Sequence, residues 1–453
     1  MASRSTEYLI IGNSAAGIAA AEAIRETSPA GTITIVGDEP YPAYGRPLIS
    51  YLIEGKTTQD DIWLRDADFY DRNGIDALLG PDFKVETLNP QAHEAVLANG
   101  DVVAYGKCLL ATGSVPFVPP IDGLGEGSNV FSFMSLDDAT RLQDAVVKAA
   151  EERQRPEGAP VRVVVVGAGL IGLKAAEAVS RYVDEVLVLE LAPRILPAVL
   201  DEQGASVLQR RLESEDIVCR PGVSASSFAI EDGKAVKANL TDGSFIDCDV
   251  VVAAVGVRPN SALAVNAGAQ QGRGLVCDES LRTSLPDVYA AGDVVQVTDV
   301  LDGSQHPLAL WPNAVRQGRC AGLHMARFAD ASPYKGDFAV NAVDFFDASL
   351  LTSGVINPPA DSVEYQSTVF ADDESYAKFV TRDGRLVGYI LLNRPDNAGI
   401  YTSLIESGAD VGCLDPNMFQ GSPQNLCLSE DVRWERLHRG YPSCRNELGW
   451  TEE

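Results

Sequence analysis

At 453 residues the chain has room for about three domains of roughly 150 residues each. Its composition, 45% apolar and 22% charged, excludes a wholly disordered polymer. Asp and Glu outnumber Lys and Arg 64 to 36, and the resulting formal charge of −28 argues against nonspecific binding to nucleic acid or to an anionic membrane surface.

No run approaches the roughly 18 apolar residues of a membrane span. Met1–Thr6 is short and polar, without a leader-like apolar stretch. Eight cysteines, spread singly over positions 108 to 444 with no C-x-x-C, read as reduced thiols, so a cytoplasmic location is expected. Tyr8–Gly12 reads as a buried strand. Ala15, Ala16, Ile18, Ala19, Ala20, Ala23 and Ile24 follow on a helical repeat, and Ile33–Val36 is a second strand. The same β-α-β order returns with a fully apolar strand at Val161–Val166, a helix over Gly167–Val179 and a strand at Val186–Leu189. Two such units imply two nucleotide-sized domains. Ser114–Ser128 between them has the proline and glycine content of a linker, Leu136–Glu152 is helical in pattern, and Arg153–Pro160 is a polar turn. From about Pro333 the stretches Ala339–Phe346, Leu350–Ile356, Glu364–Phe370, Ala377–Val380 and Leu386–Leu392 predict a mostly antiparallel domain. Residues 413–453 read as an irregular extension.

Gly12-Asn13-Ser14-Ala15-Ala16-Gly17 fills the first strand-to-helix turn. Gly12 permits the tight turn, the small Ser14 lets backbone N–H groups approach a pyrophosphate, and Gly17 lets the helix lie close to the strand, its positive end facing the phosphates. Glu39, after the next strand, supplies a carboxylate suited to two ribose hydroxyls. A lone fingerprint of this kind is weak, and the strand–helix–strand context gives it weight. Gly167-Ala168-Gly169-Leu170-Ile171-Gly172 matches all three glycine positions. Glu190 closes the following strand. It accepts from adenosine hydroxyls and repels a 2′-phosphate, which favours NADH over NADPH, with Arg194 softening the preference.

These two fingerprints, with Ala111-Thr112-Gly113 and Gly292-Asp293, resemble the pyridine nucleotide-disulfide oxidoreductase superfamily over about residues 8 to 330. The resemblance implies FAD on the first turn and a nicotinamide nucleotide on the second. It also implies Asp293 on the ribityl and phosphate region, Gly256 at the exit from the nicotinamide domain, and a helix from Trp311 beneath the flavin. Ala43-Tyr44-Gly45-Arg46-Pro47-Leu48-Ile49-Ser50 resembles the ferredoxin and rubredoxin reductases and the flavin portion of nitrite reductase, which would place Arg46 over the FAD phosphate or the flavin edge. The expected class is α/β, with two Rossmann-like dinucleotide-binding domains and an α+β C-terminal interface domain. The expected boundaries are 1–117 and 250–330 for FAD, 118–249 for NAD(P), 331–412 for an interface that would make a homodimer, and 413–453 for the extension.

Two departures from the family bear on the reaction. The C-x-x-x-x-C pair of the disulfide reductases is absent, and Tyr51 stands where the peroxide and coenzyme A disulfide branch has one cysteine, so no covalent thiol intermediate is expected there. The oxygenase-coupled reductases commonly have Lys at the place of Tyr51 and Glu at that of Lys174; here Tyr51 and Lys174 are expected to flank flavin N5 and the nicotinamide, Lys174 stabilising negative charge on reduced flavin. A redox pair or a cluster ligand set is conceivable for Cys413, Cys427 and Cys444, but a cluster takes four thiolates at closer spacing, so ordinary tail cysteines are favoured and no metal site is expected. The expected function is transfer of hydride from NADH to FAD and of electrons onward to a rubredoxin, ferredoxin or other iron-sulfur protein. An oxidase or small-molecule reductase, and an FAD-containing subunit without turnover, are the alternatives.

Overall fold

The computed structural model describes residues 3–151, 160–359, 361–412, 419, 431, 433 and 434. The chain divides into two compact units, Met1–Ile195 with Glu213–Phe338, and Leu196–Leu212 with Ala339–Glu453. Cys427, Cys444 and Cys413 lie outside the described residues. No helix among the described residues is long and apolar enough to cross a membrane.

The first unit opens with β1 (Ser3–Ile11), α1 (Ala15–Thr27), β2 (Ile33–Gly37), α2 (Ile49–Ile53), β3 (Ile75–Leu79), β4 (Val85–Asn89), β5 (Glu94–Leu97) and β6 (Val102–Leu110). It continues through β7 (Val130–Phe131), α3 (Leu136–Glu151), β8 (Arg162–Val166), α4 (Leu170–Ser180) and β9 (Glu185–Glu190). Helix α5 (Glu202–Glu213), most of which belongs to the second unit, comes next in the chain; β10 (Ile217–Pro221), β11 (Val250–Ala253), β12 (Val288–Ala290) and α6 (Trp311–Met325) follow in the first unit. Strands β3, β2, β1 and β6 are parallel neighbours, with Tyr8 opposite Ile33 and Ile11 opposite Val36. The far edge of β6 is shared: β12 runs parallel to its Cys108–Leu110 end, and β5 pairs antiparallel with its first half. Ile10, Ile18, Ile24, Ile33, Ile35 and Leu109 form the core between this sheet and α1. Full burial of such side chains is worth about 1.5–3 kcal/mol each.

The second sheet is wholly parallel, in the order β10-β9-β8-β11-β7. Its inner strands β8, β9 and β11 are apolar runs because both faces are covered, and Val163, Val164, Val165, Val251 and Val252 are fully buried. Val250–Ala253 pairs along Val163–Val166 of β8, so the second sheet extends past the expected boundary at residue 249. The unbroken valine run of β11 has the composition of a central parallel strand, and it completes this sheet before the chain returns to the first.

In the second unit β13 (Val340–Phe345), β14 (Ala348–Gly354), β15 (Tyr365–Ala371), β16 (Tyr376–Arg382) and β17 (Arg385–Leu392) form an antiparallel sheet in the order β13-β14-β17-β16-β15. Helix α7 (Ala398–Ser407) packs on β17. Residues 331–338 belong to the first unit rather than to this one. Residues 196–212, including most of α5, join the second unit, where Asp201 Oδ2 accepts from the Tyr376 hydroxyl at 2.6 Å and from Lys378 Nζ at 3.0 Å.

Candidate functional site

The two glycine-rich turns have the same construction. At Gly12 φ is +119°, and a Cβ would lie 2.1 Å from the Ala111 carbonyl oxygen; at Gly17 it would lie 2.1 Å from the Gly12 oxygen. In the second turn, a Cβ on Gly167, at φ +106°, would lie 2.3 Å from the Ala254 oxygen, and one on Gly172 would lie 2.0 Å from the Gly167 oxygen. Only glycine fits these four positions. Gly169 is different, since nothing lies within 4 Å of where its Cβ would be; the space faces outward and suits a ligand phosphate rather than packing. Neither Ser14, at the start of α1, nor Gly169, at the start of α4, supplies a side-chain cap. The first N–H groups of both helices, at Ala15, Ala16 and Gly17 and at Leu170, Ile171 and Gly172, are therefore left for an anion.

The carboxylates differ. Glu190 accepts from the Ala168 N–H (2.8 Å) within its own turn and from the Ala192 N–H (2.8 Å), which aims it from the end of β9. Glu39 instead pairs with the Arg46 guanidinium and accepts from the Tyr44 hydroxyl at 2.5 Å. That hydroxyl also accepts the Leu136 N–H at 3.0 Å, the first residue of α3. Burial, reinforced by Glu39, pushes the Tyr44 phenol far above its usual range. Arg46, which precedes Pro47 in a 3-10 turn, also donates to the Met134 carbonyl at 3.1 Å.

Ala111-Thr112-Gly113 and the return segment lie side by side where the chain leaves and re-enters the first fold. Ser114–Pro116 pairs with Val257–Pro259, and the Thr112 hydroxyl donates to the Asn260 carbonyl at 2.7 Å. Gly113, at φ +66°, and Gly256, at φ +117°, both border open space. Asp293 accepts from the Ser114 hydroxyl at 3.0 Å; burial holds its carboxyl above the usual range, against the pull of Ser114 and Arg46. The preceding Gly292, at φ +83°, donates its N–H at 2.8 Å to Gln317 of α6, whose first residue, Trp311, is partly buried against the first core. Helix α6 reaches α1 through glycines: a Cβ on Gly318 would lie 2.1 Å from the Ala16 oxygen, and one on Gly322 would lie 2.5 Å from the Ala20 oxygen.

Tyr51 and Lys174, far apart in sequence, come together. Lys174 Nζ lies 4.8 Å from the Tyr51 ring centroid, 2.5 Å from Glu177 and 3.4 Å from Glu54. Lys56 Nζ closes the group, 2.5 Å from Glu54, 3.5 Å from Glu177 and 5.7 Å from the same ring. The Glu54 and Glu177 side chains are 6% and 2% exposed and that of Lys174 is 12% exposed, whereas Lys56 is half exposed. Lys174 thus sits in a quartet with no net charge rather than as a lone cation.

Sequence reading missed Glu54, Lys56 and Glu177. The available signal was the acid three residues after Lys174 on one helix face, coupled with Glu54 three residues after Tyr51. Tyr44 stands in the sequence only as one residue of the Ala43–Ser50 motif, and its bridging role depends on α3 being brought beside it. The five described cysteines are free, and burial pushes the thiols of Cys219, Cys248 and Cys277 up to about 12 and that of Cys320 to about 11; Cys108 is raised as well. Such thiols are poor thiolates. Among the described residues no group of His, Cys, Asp and Glu is arranged to hold a metal.

Uncapped helix starts, glycine-only packing and a carboxylate beyond each second strand fit a dinucleotide on each fold. Comparison with known proteins agrees. The chain is 29% identical over 411 residues to the NADH-dependent phenylglyoxylate dehydrogenase subunit epsilon of Aromatoleum evansii, covering 90% of this chain and 93% of that one. It is 34% identical over 329 residues to an NADH oxidase of Methanocaldococcus jannaschii, covering 70% of this chain and 69% of that protein. Among solved structures, the ferredoxin reductase for the CYP199A2 system of Rhodopseudomonas palustris superposes with a TM-score of 0.75 at 27% identity, over 86% of this chain and 91% of that one. The family model described as pyridine nucleotide-disulphide oxidoreductase matches residues 6–318. The chain belongs to the pyridine nucleotide-disulphide oxidoreductase family and is an FAD-dependent NAD(P)H oxidoreductase.

Proposed function

We propose that the chain oxidises NADH and delivers the electrons one at a time to a small redox protein of iron-sulfur or rubredoxin type. The observation that carries this reading is Tyr51: the position where a thiol would store electrons holds an aromatic ring packed under Lys174. Similarity to a ferredoxin reductase and to a dehydrogenase subunit supports it. FAD, when bound, supplies the conversion of a two-electron hydride into single electrons.

The protein's part is binding and orientation. Ser14, Ala15, Ala16 and Gly17 offer N–H groups to the FAD pyrophosphate; Glu39 and Arg46, Ala111, Thr112, Gly113, Asp293 and the Trp311 helix surround the rest of that cofactor. Gly167, Gly169 and Gly172 receive the nicotinamide nucleotide. Glu190 already accepts two backbone N–H groups, and its remaining lone pairs suit ribose hydroxyls and repel a 2′-phosphate, hence NADH over NADPH. In this reading the FAD fold comprises residues 1–117 and the return through 330, the nicotinamide fold lies between them and includes β11, and residues 339–412 pair two copies into a homodimer in the cytoplasm.

A second reading, reduction of dioxygen, a quinone or a disulfide, is favoured by the likeness to the NADH oxidase. Anaerobic stopped flow decides. NADH should bleach the flavin within seconds, and oxidised ferredoxin or rubredoxin should restore the yellow colour much faster than air-saturated buffer does. Equally fast reoxidation by air would move the assignment to an oxidase. Failure of NADH to bleach a fully loaded flavin would leave only a binding subunit.

A further inference from the structure

The quartet of Glu54, Lys56, Lys174 and Glu177 does more than fill space. Helix α2 and Glu54 belong to the segment that follows the first cradle, while Lys174 and Glu177 lie on α4, the helix that rises from the second. The same two elements meet again one turn further on. The Tyr182 hydroxyl donates to the Ile53 carbonyl at 2.8 Å, and Arg181 donates to the Glu54 carbonyl, so residues at the end of α4 satisfy the otherwise unpaired carbonyls at the end of α2.

Buried ions are an expensive way to join two helices. Desolvation cancels much of their attraction, and well-packed apolar side chains serve stability as well or better. Ions do fix register, because a carboxylate and an ammonium tolerate only a narrow set of separations. Both Glu54 oxygens face lysines at ion-pair distance without hydrogen-bond alignment, so geometry here is held by the whole cage. The Tyr51 ring forms its remaining wall, with an ammonium 4.8 Å and another 5.7 Å from its centroid.

We propose that this cage is an alignment clamp: Glu54 and Glu177 are positioning residues that seat Lys174 on the Tyr51 ring and thereby hold the nicotinamide-binding fold in register with the FAD-binding fold. The proposal rests on the NADH-to-FAD reading above. It assigns Lys174 a role in geometry rather than in charging the flavin. Hydride transfer is the step most sensitive to such register, since a misplacement of about 1 Å can cost ~10²-fold in rate.

The test is the Lys174→Met/Glu177→Met double variant, which removes three of the four ion pairs of the cage, retains only that of Glu54 with Lys56, leaves the net charge unchanged and keeps the volume apolar. The loaded variant should keep its FAD content, visible spectrum and melting temperature. Its NADH dissociation constant should stay within about twofold, while the hydride-transfer rate constant at saturating NADH falls about tenfold or more. An unchanged rate constant overturns the clamp. A flavin reduction potential that shifts in step with the rate also overturns it, because Lys174 would then act through its charge. Should the double variant fail to bind FAD, Lys174→Met/Glu177→Gln is read by the same measurements and the same criteria. Wild-type protein that NADH does not bleach refutes the parent reading instead, so the two failures are separable.

Discussion

The two cradles share one backbone solution and two different ways of holding a carboxylate. Gly12 and Gly17 in the first, and Gly167 and Gly172 in the second, each leave 2.0–2.3 Å where a Cβ would meet a carbonyl oxygen. Beyond that the cradles part. Glu190 is fixed by N–H groups of Ala168 and Ala192, a local arrangement that travels with its own β-α-β unit. Glu39 is fixed by Arg46 and Tyr44, and through Tyr44 it is tied to the first residue of α3, nearly a hundred positions away in sequence. The second carboxylate is thus held within its own β-α-β unit, whereas the first is wired into the rest of its unit.

The largest effect that would break this comparison comes from the glycines. Gly12→Ala adds an overpacking cost of about 1–3 kcal/mol to a backbone strain of about 1–3 kcal/mol. The product should be colourless, with FAD content measured by absorbance. Gly172→Ala should remain yellow yet fail to bleach with NADH, and loss of FAD from both variants would mean that the cradles are not independent. Next in size is the carboxylate pair. Glu190→Ala should weaken NADH binding by about 1–2 kcal/mol, read by titration, with FAD content unchanged and discrimination against NADPH reduced. Tyr44→Phe should weaken FAD retention by about 1 kcal/mol and leave NADH affinity alone.

The smallest effect is a pH dependence confined to the first cradle. Burial raises the Asp293 carboxyl above its unfolded value, against the smaller opposing pull of Ser114. The neutral acid therefore contributes stability that is complete below the ordinary carboxylate range and is lost as pH rises through the raised value. Melting of the FAD-free protein should fall across that window, and Asp293→Asn should flatten the curve.

Much of this architecture was legible in the residues. Both β-α-β units, the five C-terminal strands and the two glycine-rich turns announce themselves through periodicity and through glycines whose φ values and close approaches no other residue tolerates. The boundary near residue 250 was not, because a valine run such as Val250–Val252 suits either parallel sheet and only pairing with Val163–Val165 assigns it. Residues 196–212 were equally silent: Asp201 gives no local sign that Tyr376 and Lys378 will meet it.

The sequence by itself determined the fold class, the family and the place of each glycine-rich turn, since these rest on local backbone demands and on short-range hydrophobic patterning. Tertiary structure alone decided what surrounds Lys174. Lys174 reads in sequence as a single cation after a glycine turn; in the folded chain it becomes one corner of a neutral cage, because α2 and α4 bring Glu54 and the Tyr51 ring within ion-pair and ring-contact distance of it, and Lys56 pairs with the same two carboxylates. Electrostatic character depends on the summed field of neighbours a few ångströms away, and most of those neighbours here are more than a hundred residues distant along the chain.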